Sequence, residues 1–122
     1  MKTLLTLVLL STFSGLVHAS EVPQLQCLGT EPFWGITTDA NGTLSMSDPM
    51  SDSKRDYSKA TVKSAQGTTA DFAFQIEATN EASNTLKLNV VKAECNDGMS
   101  ENIYPYTALV DVDDRILFGC CY

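Results

Sequence analysis

The sequence has a single histidine, at position 18. It lies in a segment that we expect to be removed on export, so the mature protein is predicted to contain none. Without imidazole, a protein has neither the general base of Ser-His and Cys-His enzymes nor the commonest nitrogen ligand for metals. An enzyme made from this chain would have to use carboxylates, lysine, tyrosine, serine or cysteine.

Long apolar runs are also missing. Residues 4–10 are apolar except for one threonine, and they follow Lys2 and precede the compact residues that end at Ala19. A basic start, a short apolar run and small residues at the end are typical of a secretory signal peptide. We predict a signal peptide at residues 1–19, cleaved near Ala19, and a single β domain at residues 20–122. The run is shorter than the roughly 20 residues that cross a bilayer, so we expect no membrane span and a periplasmic or secreted protein.

Basic residues are scarce. Without Lys2 the chain has seven basic and fifteen acidic residues, a formal charge of 7 − 15 = −8. Nucleic acid is an unsuitable partner because phosphate binding requires positive charge. We expect a basic protein or a small ligand as partner, no cofactor and a monomer. The alternative is that the acidic surface only keeps an exported protein soluble.

The remaining sequence predicts an all-β protein. Phe72, Phe74 and Ile76 alternate with polar residues, as does the later series from Leu86 to Val90, and no segment has sustained helical spacing. Strand-like pieces recur at roughly ten-residue spacing, and an Asn-Gly pair at position 41 marks a hairpin. We predict a small antiparallel barrel or sandwich, mostly a meander of about seven or eight strands, with the barrel favoured.

Three local features give sharper expectations. Apolar parity shifts at Val90 and Val91, which predicts a β-bulge there and inward residues beyond it. The polar stretch 47–56 predicts a long loop. In the last strand, Ile116 and Phe118 are apolar at alternate positions, so we predict that they face inward.

The four cysteines predict two disulfides, because the chain is small and exported. Cys95 and Cys120 both continue predicted inward series, so we pair them. Cys27 then bonds Cys121 and ties the first strand to the last. The alternative, a bond between the neighbours Cys120 and Cys121, requires a strained ring. Oxidised cysteines are poor metal ligands, so we expect no metal site.

Two segments combine acids with aromatics: Gly-Thr-Glu-Pro-Phe-Trp at residues 29–34, and Cys-Asn-Asp-Gly-Met-Ser-Glu-Asn-Ile-Tyr-Pro-Tyr at residues 95–106. A carboxylate beside aromatic rings must be solvated or hydrogen-bonded. The candidate ligand-binding residues are Glu31, Trp34, Asp97, Ser100, Glu101, Tyr104 and Tyr106. The alternative is that these residues close the barrel by packing and local hydrogen bonds.

These two motifs, with a terminal Gly-Cys, resemble a family of small exported bacterial proteins that are usually described only as uncharacterised membrane proteins or lipoproteins. The resemblance extends from Gly29 to Cys120. The chain departs from the family pattern by having Glu101 in place of aspartate and by adding Cys27 and Cys121. The resemblance implies a bacterial source and supports the bond between Cys95 and Cys120, and it transfers no activity.

Three functions compete at this point. The first is a non-catalytic binding or envelope-associated module in which the two motifs meet. The second is an inhibitor of a basic cell-wall hydrolase such as lysozyme. The third and least supported is a glycan hydrolase that uses Glu31 and Glu101, which requires carboxylates about 5 to 10 Å apart. We predict a non-enzymatic protein with no catalytic residues.

Overall fold

The computed structural model describes residues 21–122, so the predicted signal peptide lies outside the described residues. Eight antiparallel strands form a closed barrel, each paired with the next and the last paired with the first. This confirms the predicted all-β meander. The strands are β1 (Gln26–Thr30), β2 (Phe33–Thr38), β3 (Leu44–Asp48), β4 (Ser53–Ser64), β5 (Ala73–Thr79), β6 (Thr85–Val91), β7 (Tyr106–Val112) and β8 (Arg115–Cys121).

The barrel interior is filled by alternate residues of the strands, as a period of two requires. Ile36, Leu44, Ile76, Leu88 and Val110 are all at most 1% exposed. Their neighbours along each strand face solvent and are mostly polar. The predicted inward series of β5 and β6 are therefore confirmed from Phe74 onward, whereas Phe72 precedes β5 and is 42% exposed.

The predicted bulge at Val90 and Val91 is wrong. Both residues pair in register with β5, and β6 is continuous through Val91. The irregularity lies instead in β4, where the register with β5 shifts between Ser58 and Thr61 and Lys59 has a φ of 55°. Val91 faces outward and is half-buried, and alternation alone does not distinguish such a position from an inward one.

The predicted loop at residues 47–56 is also wrong in length. Only residues 49–52 connect β3 to β4. The polar residues around them belong to the strands: Ser47, Lys54 and Asp56 lie on the outer faces, whereas Asp48, Ser53 and Arg55 have inward parity at the end of the barrel. For example, the Ser45 hydroxyl donates to Asp56 Oδ1 at 2.7 Å. Serine and aspartate are common in loops, but here they satisfy each other across a ladder.

The prediction for the last strand is reversed. Leu117, Gly119 and Cys121 face inward, whereas Ile116 and Phe118 face outward and are 61% and 56% exposed. Apolar character does not mark an inward position in β8, because this strand has large apolar side chains on its outer face as well.

Both predicted disulfides are present. Cys27 bonds Cys121 across paired positions of β1 and β8, and Cys95 bonds Cys120. The pairing is right but the reason was wrong for the second bond. Cys120 has the outward parity of Phe118, and Cys95 lies beyond the end of β6 in the segment that covers β8. The two sulfurs meet outside the barrel, where that segment buries them. Two disulfides fit an oxidising compartment.

One ion pair spans an end of the barrel. Arg55 of β4 donates to both carboxylate oxygens of Asp113 in the β7–β8 turn, at 3.0 and 2.7 Å. The hydrogen bond from Arg55 holds the pKa of the Asp113 carboxyl below its usual value. Residues 21–122 include no helix that is long and apolar enough to cross a membrane.

Candidate functional site

The candidate site lies at the seam where β1 meets β8. Only Cys27 with Cys121 and Leu28 with Cys120 are paired there, besides backbone bonds between Gln26 and Tyr122 in both directions. By contrast, the ladder between β7 and β8 has seven residue pairs. Beyond Leu28, the seam is therefore closed by something other than a ladder.

Trp34 provides part of that closure. The side chain is 3% exposed, and its indole N–H donates to the carbonyl oxygen of Phe118 at 3.2 Å. Two glycines make room for the ring: a Cβ on Gly29 would lie 1.9 Å from Trp34 Nε1, and one on Gly119 would lie 2.4 Å from Trp34 Cζ2 and 2.1 Å from the Leu28 carbonyl oxygen. The indole thus replaces a ladder bond, and it fits only because both strands have glycine at this level.

The segment between β6 and β7 covers the same seam from outside. It is fixed by the disulfide from Cys95 to Cys120 and by paired backbone bonds between Cys95 and Tyr104, at 2.8 and 2.9 Å. The two sequence motifs come into contact here, since the Thr30 hydroxyl donates to the Asp97 carbonyl oxygen at 2.9 Å. The motifs therefore meet along the seam.

The tip of this segment, residues 96–102, is stabilised by its own side chains. Asn96 Oδ1 accepts from the Gly98 amide at 2.7 Å, and Asp97 Oδ1 accepts from the amides of Met99 and Ser100 at 2.9 and 3.3 Å. Gly98 has a φ of 80°, a conformation that glycine adopts without strain. Asn and Asp side chains that bond backbone amides two or three residues later form turns of this kind. The tip is therefore held largely by hydrogen bonds of its own side chains.

Between this tip and the strands is a cleft of about 300 Å³. Its floor is the glycine backbone of the seam, which brings main-chain atoms close to any occupant. Met99 and Phe118 supply apolar walls, and they are 66% and 56% exposed. The lining residues are Gly29, Thr30, Glu31, Asp97, Gly98, Met99, Phe118 and Gly119.

The two carboxylates of the cleft differ in state. One oxygen of Asp97 is engaged by the amides of the tip. Glu31 is exposed, and the ion pairs found within residues 21–122 join other residues, Arg55 with Asp113 and Lys92 with Asp71. Glu31 is therefore the carboxylate of the cleft that is free to meet a ligand.

The other predicted ligand-binding residues do not line the cleft. Trp34 is in the core, and Tyr106 packs against the core from β7. Tyr104 stacks on Tyr122 with ring centroids 5.6 Å apart. Ser100 serves the tip, where its hydroxyl accepts from the Asn102 amide at 3.2 Å.

Glu101 is exposed on the same tip but is also outside the lining of the cleft. Glu31 and Asp97 are thus the two predicted residues that the fold brings to one cavity.

Sequence reasoning missed the apolar walls. Met99 lies inside a recognised motif, but no pattern marked it as exposed. Phe118 was assigned to the core because alternation was read from apolarity alone. The sequence of β8 does indicate an exposed apolar face, because the strand has apolar residues at both parities: Ile116 and Phe118 on one face and Leu117 on the other.

No group of three or more His, Cys, Asp or Glu side chains within residues 21–122 is arranged to hold a metal ion. Comparison of the chain with family models, curated proteins and solved structures finds no match in any of the three. The family resemblance of the two motifs accordingly stays a prediction, and function has to be argued from the seam itself.

Proposed function

We propose that this protein is an exported, non-catalytic binding module, and that the seam cleft takes a basic, partly apolar segment of another protein. The observation that carries the proposal is the free Glu31 carboxylate beside two exposed apolar side chains, Met99 and Phe118, on a pre-formed cleft. The two disulfides support export, because such bonds persist in oxidising compartments.

The chemistry of the lining suggests the class of ligand. A lysine or arginine side chain has an apolar stem and a cationic end. Against this cleft the stem would contact Met99 and Phe118 and the charge would meet Glu31. Met is flexible and polarizable, and it adapts to different apolar partners. The formal charge of −8 for the mature chain adds long-range attraction for a basic partner.

A binding role is favoured over hydrolysis by the use of the carboxylates. A carboxylate-dependent glycosidase needs an acid and a second carboxylate beside the same bond. Here Asp97 is engaged in the tip and Glu101 is outside the cleft lining. Glu31 is left without a catalytic partner, and a single carboxylate is sufficient for ion pairing.

Fluorescence anisotropy with a labelled synthetic peptide of alternating lysine and leucine tests the proposal. We expect binding that weakens as salt is raised from low to physiological concentration. Glu31→Gln should weaken the affinity about three- to five-fold, the size of an exposed ion pair. Glu77→Gln on the outer face of β5 is the matched control and should have no effect. Equal losses in the two variants, or no binding of the peptide, would contradict the proposal.

A second candidate function is inhibition of a basic cell-wall hydrolase such as lysozyme. It is favoured by the tip at residues 96–102, which is held by its own hydrogen bonds and bears Asp97 and Glu101. A rigid acidic tip loses little entropy on entering a substrate cleft. The test is lysis of bacterial cells by lysozyme at low salt with excess protein. Inhibition is supported if the protein slows lysis and if Glu101→Gln restores the normal rate of lysis. A rate of lysis that the protein does not change rejects inhibition.

A further inference from the structure

The outer face of β8 departs from the pattern of the barrel. On β3 and β4 the outward side chains are mostly serine, threonine, lysine or aspartate, whereas on β8 they include Ile116 and Phe118, exposed by 61% and 56%. Exposed apolar side chains that form a contiguous patch mark interaction sites.

A third exposed residue joins this row. Leu109 of β7 is the cross-strand partner of Phe118 and is 47% exposed. The side chains of directly opposed residues are neighbours in an antiparallel ladder, so Leu109, Phe118 and Ile116 form one patch, which we call the apolar row. All three break the expected alternation of apolar and polar residues.

The apolar row is continuous with two depressions. Phe118 is also a wall of the seam cleft, next to Met99. On the other side, Leu109 borders a shallow groove of about 540 Å³ on the outer face of β5, β6 and β7, where Ala73 and Val91 are among the lining residues. One apolar band therefore runs from the groove across the row to the cleft that contains Glu31.

The negative charge of the chain favours a basic partner on this surface over a second copy of the chain. A second copy of the chain would bring another formal charge of −8 against the first. Acidic residues also border the row, since Asp111 is opposite Ile116 in the ladder and Asp114 precedes β8, although Asp111 is also the cross-strand partner of Lys87 of β6. A partner with apolar side chains flanked by lysine or arginine satisfies both the row and its acidic border.

We propose that the apolar row is the docking face for a basic partner protein, with the seam cleft at one end of the same interface. The inference rests on the proposed function, because it extends the binding surface from the cleft. Phe118 is the expected centre of the interface, as an aromatic residue in the middle of a contiguous patch usually contributes most to affinity.

Photo-crosslinking in the native host tests this face in the full-length protein. Benzoylphenylalanine is introduced at Leu109, and at Ser47 on β3 as the control, since Ser47 is exposed and β3 is four strands from β7 in either direction around the barrel. Irradiation should give an adduct from Leu109 and none from Ser47. The adduct is identified by mass spectrometry, and the partner is produced and its Kd measured by interferometry.

The expected partner has a net positive charge. Phe118→Thr should weaken its affinity about tenfold or more, and Ile116→Thr should weaken it several-fold. Threonine keeps the strand preference of these outward positions, so circular dichroism melting should show that both variants fold. An adduct only with a second copy of this chain, a partner without excess positive charge, or a Kd unchanged in both variants would overturn the proposal.

The lysine-leucine peptide separates this inference from the proposed function. Ile116 is outside the cleft, so Ile116→Thr should weaken the partner and spare the peptide, whereas Glu31→Gln should weaken both. Peptide binding without a Leu109 adduct would reject the docking face and leave the cleft proposal standing. If the partner loses affinity with the row variants but the peptide does not bind, the docking face stands and the cleft proposal is rejected.

Discussion

The seam between β1 and β8 and the ladders through β5, β6 and β7 close the same barrel by different means. Between β5 and β6, seven residue pairs follow in register, and the inward side chains alternate without interruption. At the seam, two ladder pairs and the mutual backbone bonds of Gln26 and Tyr122 are supplemented by two disulfides, the Trp34 hydrogen bond and a covering segment. The ladders depend on repeated backbone bonds, whereas the seam depends on particular side chains.

This difference explains why the candidate site is where it is. The outer face of β5, β6 and β7 has a shallow groove whose lining includes no carboxylate. A seam closed by glycine, tryptophan and a looping segment leaves main chain and apolar walls accessible. Single substitutions should therefore affect the seam more than the ladders.

The disulfide from Cys27 to Cys121 should contribute the most stability. It spans 94 residues of sequence, so replacing both cysteines with alanine should lower the free energy of unfolding by about 4.5 kcal/mol in the chain-entropy picture. The bond from Cys95 to Cys120 spans 25 residues, and its removal should cost about 3.5 kcal/mol. Urea unfolding of both double variants measures the values. A larger loss from the shorter bond would mean that covering the seam matters more than closing the chain.

Gly119→Ala should be the most damaging single substitution tested here. The new Cβ would lie 2.1 Å from the Leu28 carbonyl oxygen and 2.4 Å from Trp34, so the strands must separate, at a cost of about 3 kcal/mol. Gly35→Ala in β2 is the matched control, because its Cβ would meet the movable Ser47 hydroxyl at 3.0 Å, and its cost should stay below about 1 kcal/mol. Similar thermal stability of the two variants would contradict the close packing of Gly119 against Leu28 and Trp34.

Two buried aromatics, Trp34 at the seam and Tyr57 on β4 away from it, each have a polar atom that a substitution can remove. Trp34→Phe deletes the hydrogen bond to Phe118 and part of the ring, which should cost about 2 kcal/mol. Tyr57 of β4 is fully buried, and its hydroxyl has no hydrogen-bond partner within residues 21–122. Tyr57→Phe should therefore be neutral or stabilise by up to about 1 kcal/mol. Denaturant unfolding measures the free energy of unfolding of both variants. An equal loss of stability in Tyr57→Phe and Trp34→Phe would contradict the expected difference between the two positions.

The ion pair at the barrel end should have the smallest effect. Both side chains of Arg55 and Asp113 are more than a third exposed, so Asp113→Asn should cost less than about 1 kcal/mol after solvent screening. The folded pKa of Asp113 is lowered mainly by its hydrogen bond with Arg55. The stabilisation is thus fully present above the unfolded pKa of about 3.9 and is lost as pH falls through the lower folded pKa. The difference in stability between the two proteins should vanish in that acidic window; a difference that persists there would implicate another cause.

Particular residues show how far sequence reasoning extends. The inward positions of Ile76 and Leu88 follow from alternation, and the hairpin at Gly42 follows from its turn chemistry. The disulfide partners were predicted correctly, although Cys95 and Cys120 meet outside the barrel and not inside it. Local patterns sufficed where each strand has one polar and one apolar face.

The remainder depended on contacts between distant parts of the chain. The slot for Trp34 needs Gly29 and Gly119, which are 90 positions apart in sequence, to lie side by side. The face of β8 was misassigned because an exposed apolar row has the same sequence signature as a core strand. The exposed apolar side chains of β8, which made the sequence prediction wrong, are the basis of the proposed docking face.

Chemical-shift mapping tests the central claim most directly. The isotope-labelled oxidised protein is titrated with the lysine-leucine peptide, and a glutamate-leucine peptide is the control. We predict that the lysine peptide shifts backbone amides of Gly29, Thr30, Glu31, Gly98 and Met99 and leaves those of β5 and β6 unchanged, with no response to the acidic peptide. Shifts spread evenly over the acidic surface, or equally large for both peptides, would contradict a binding site at the seam.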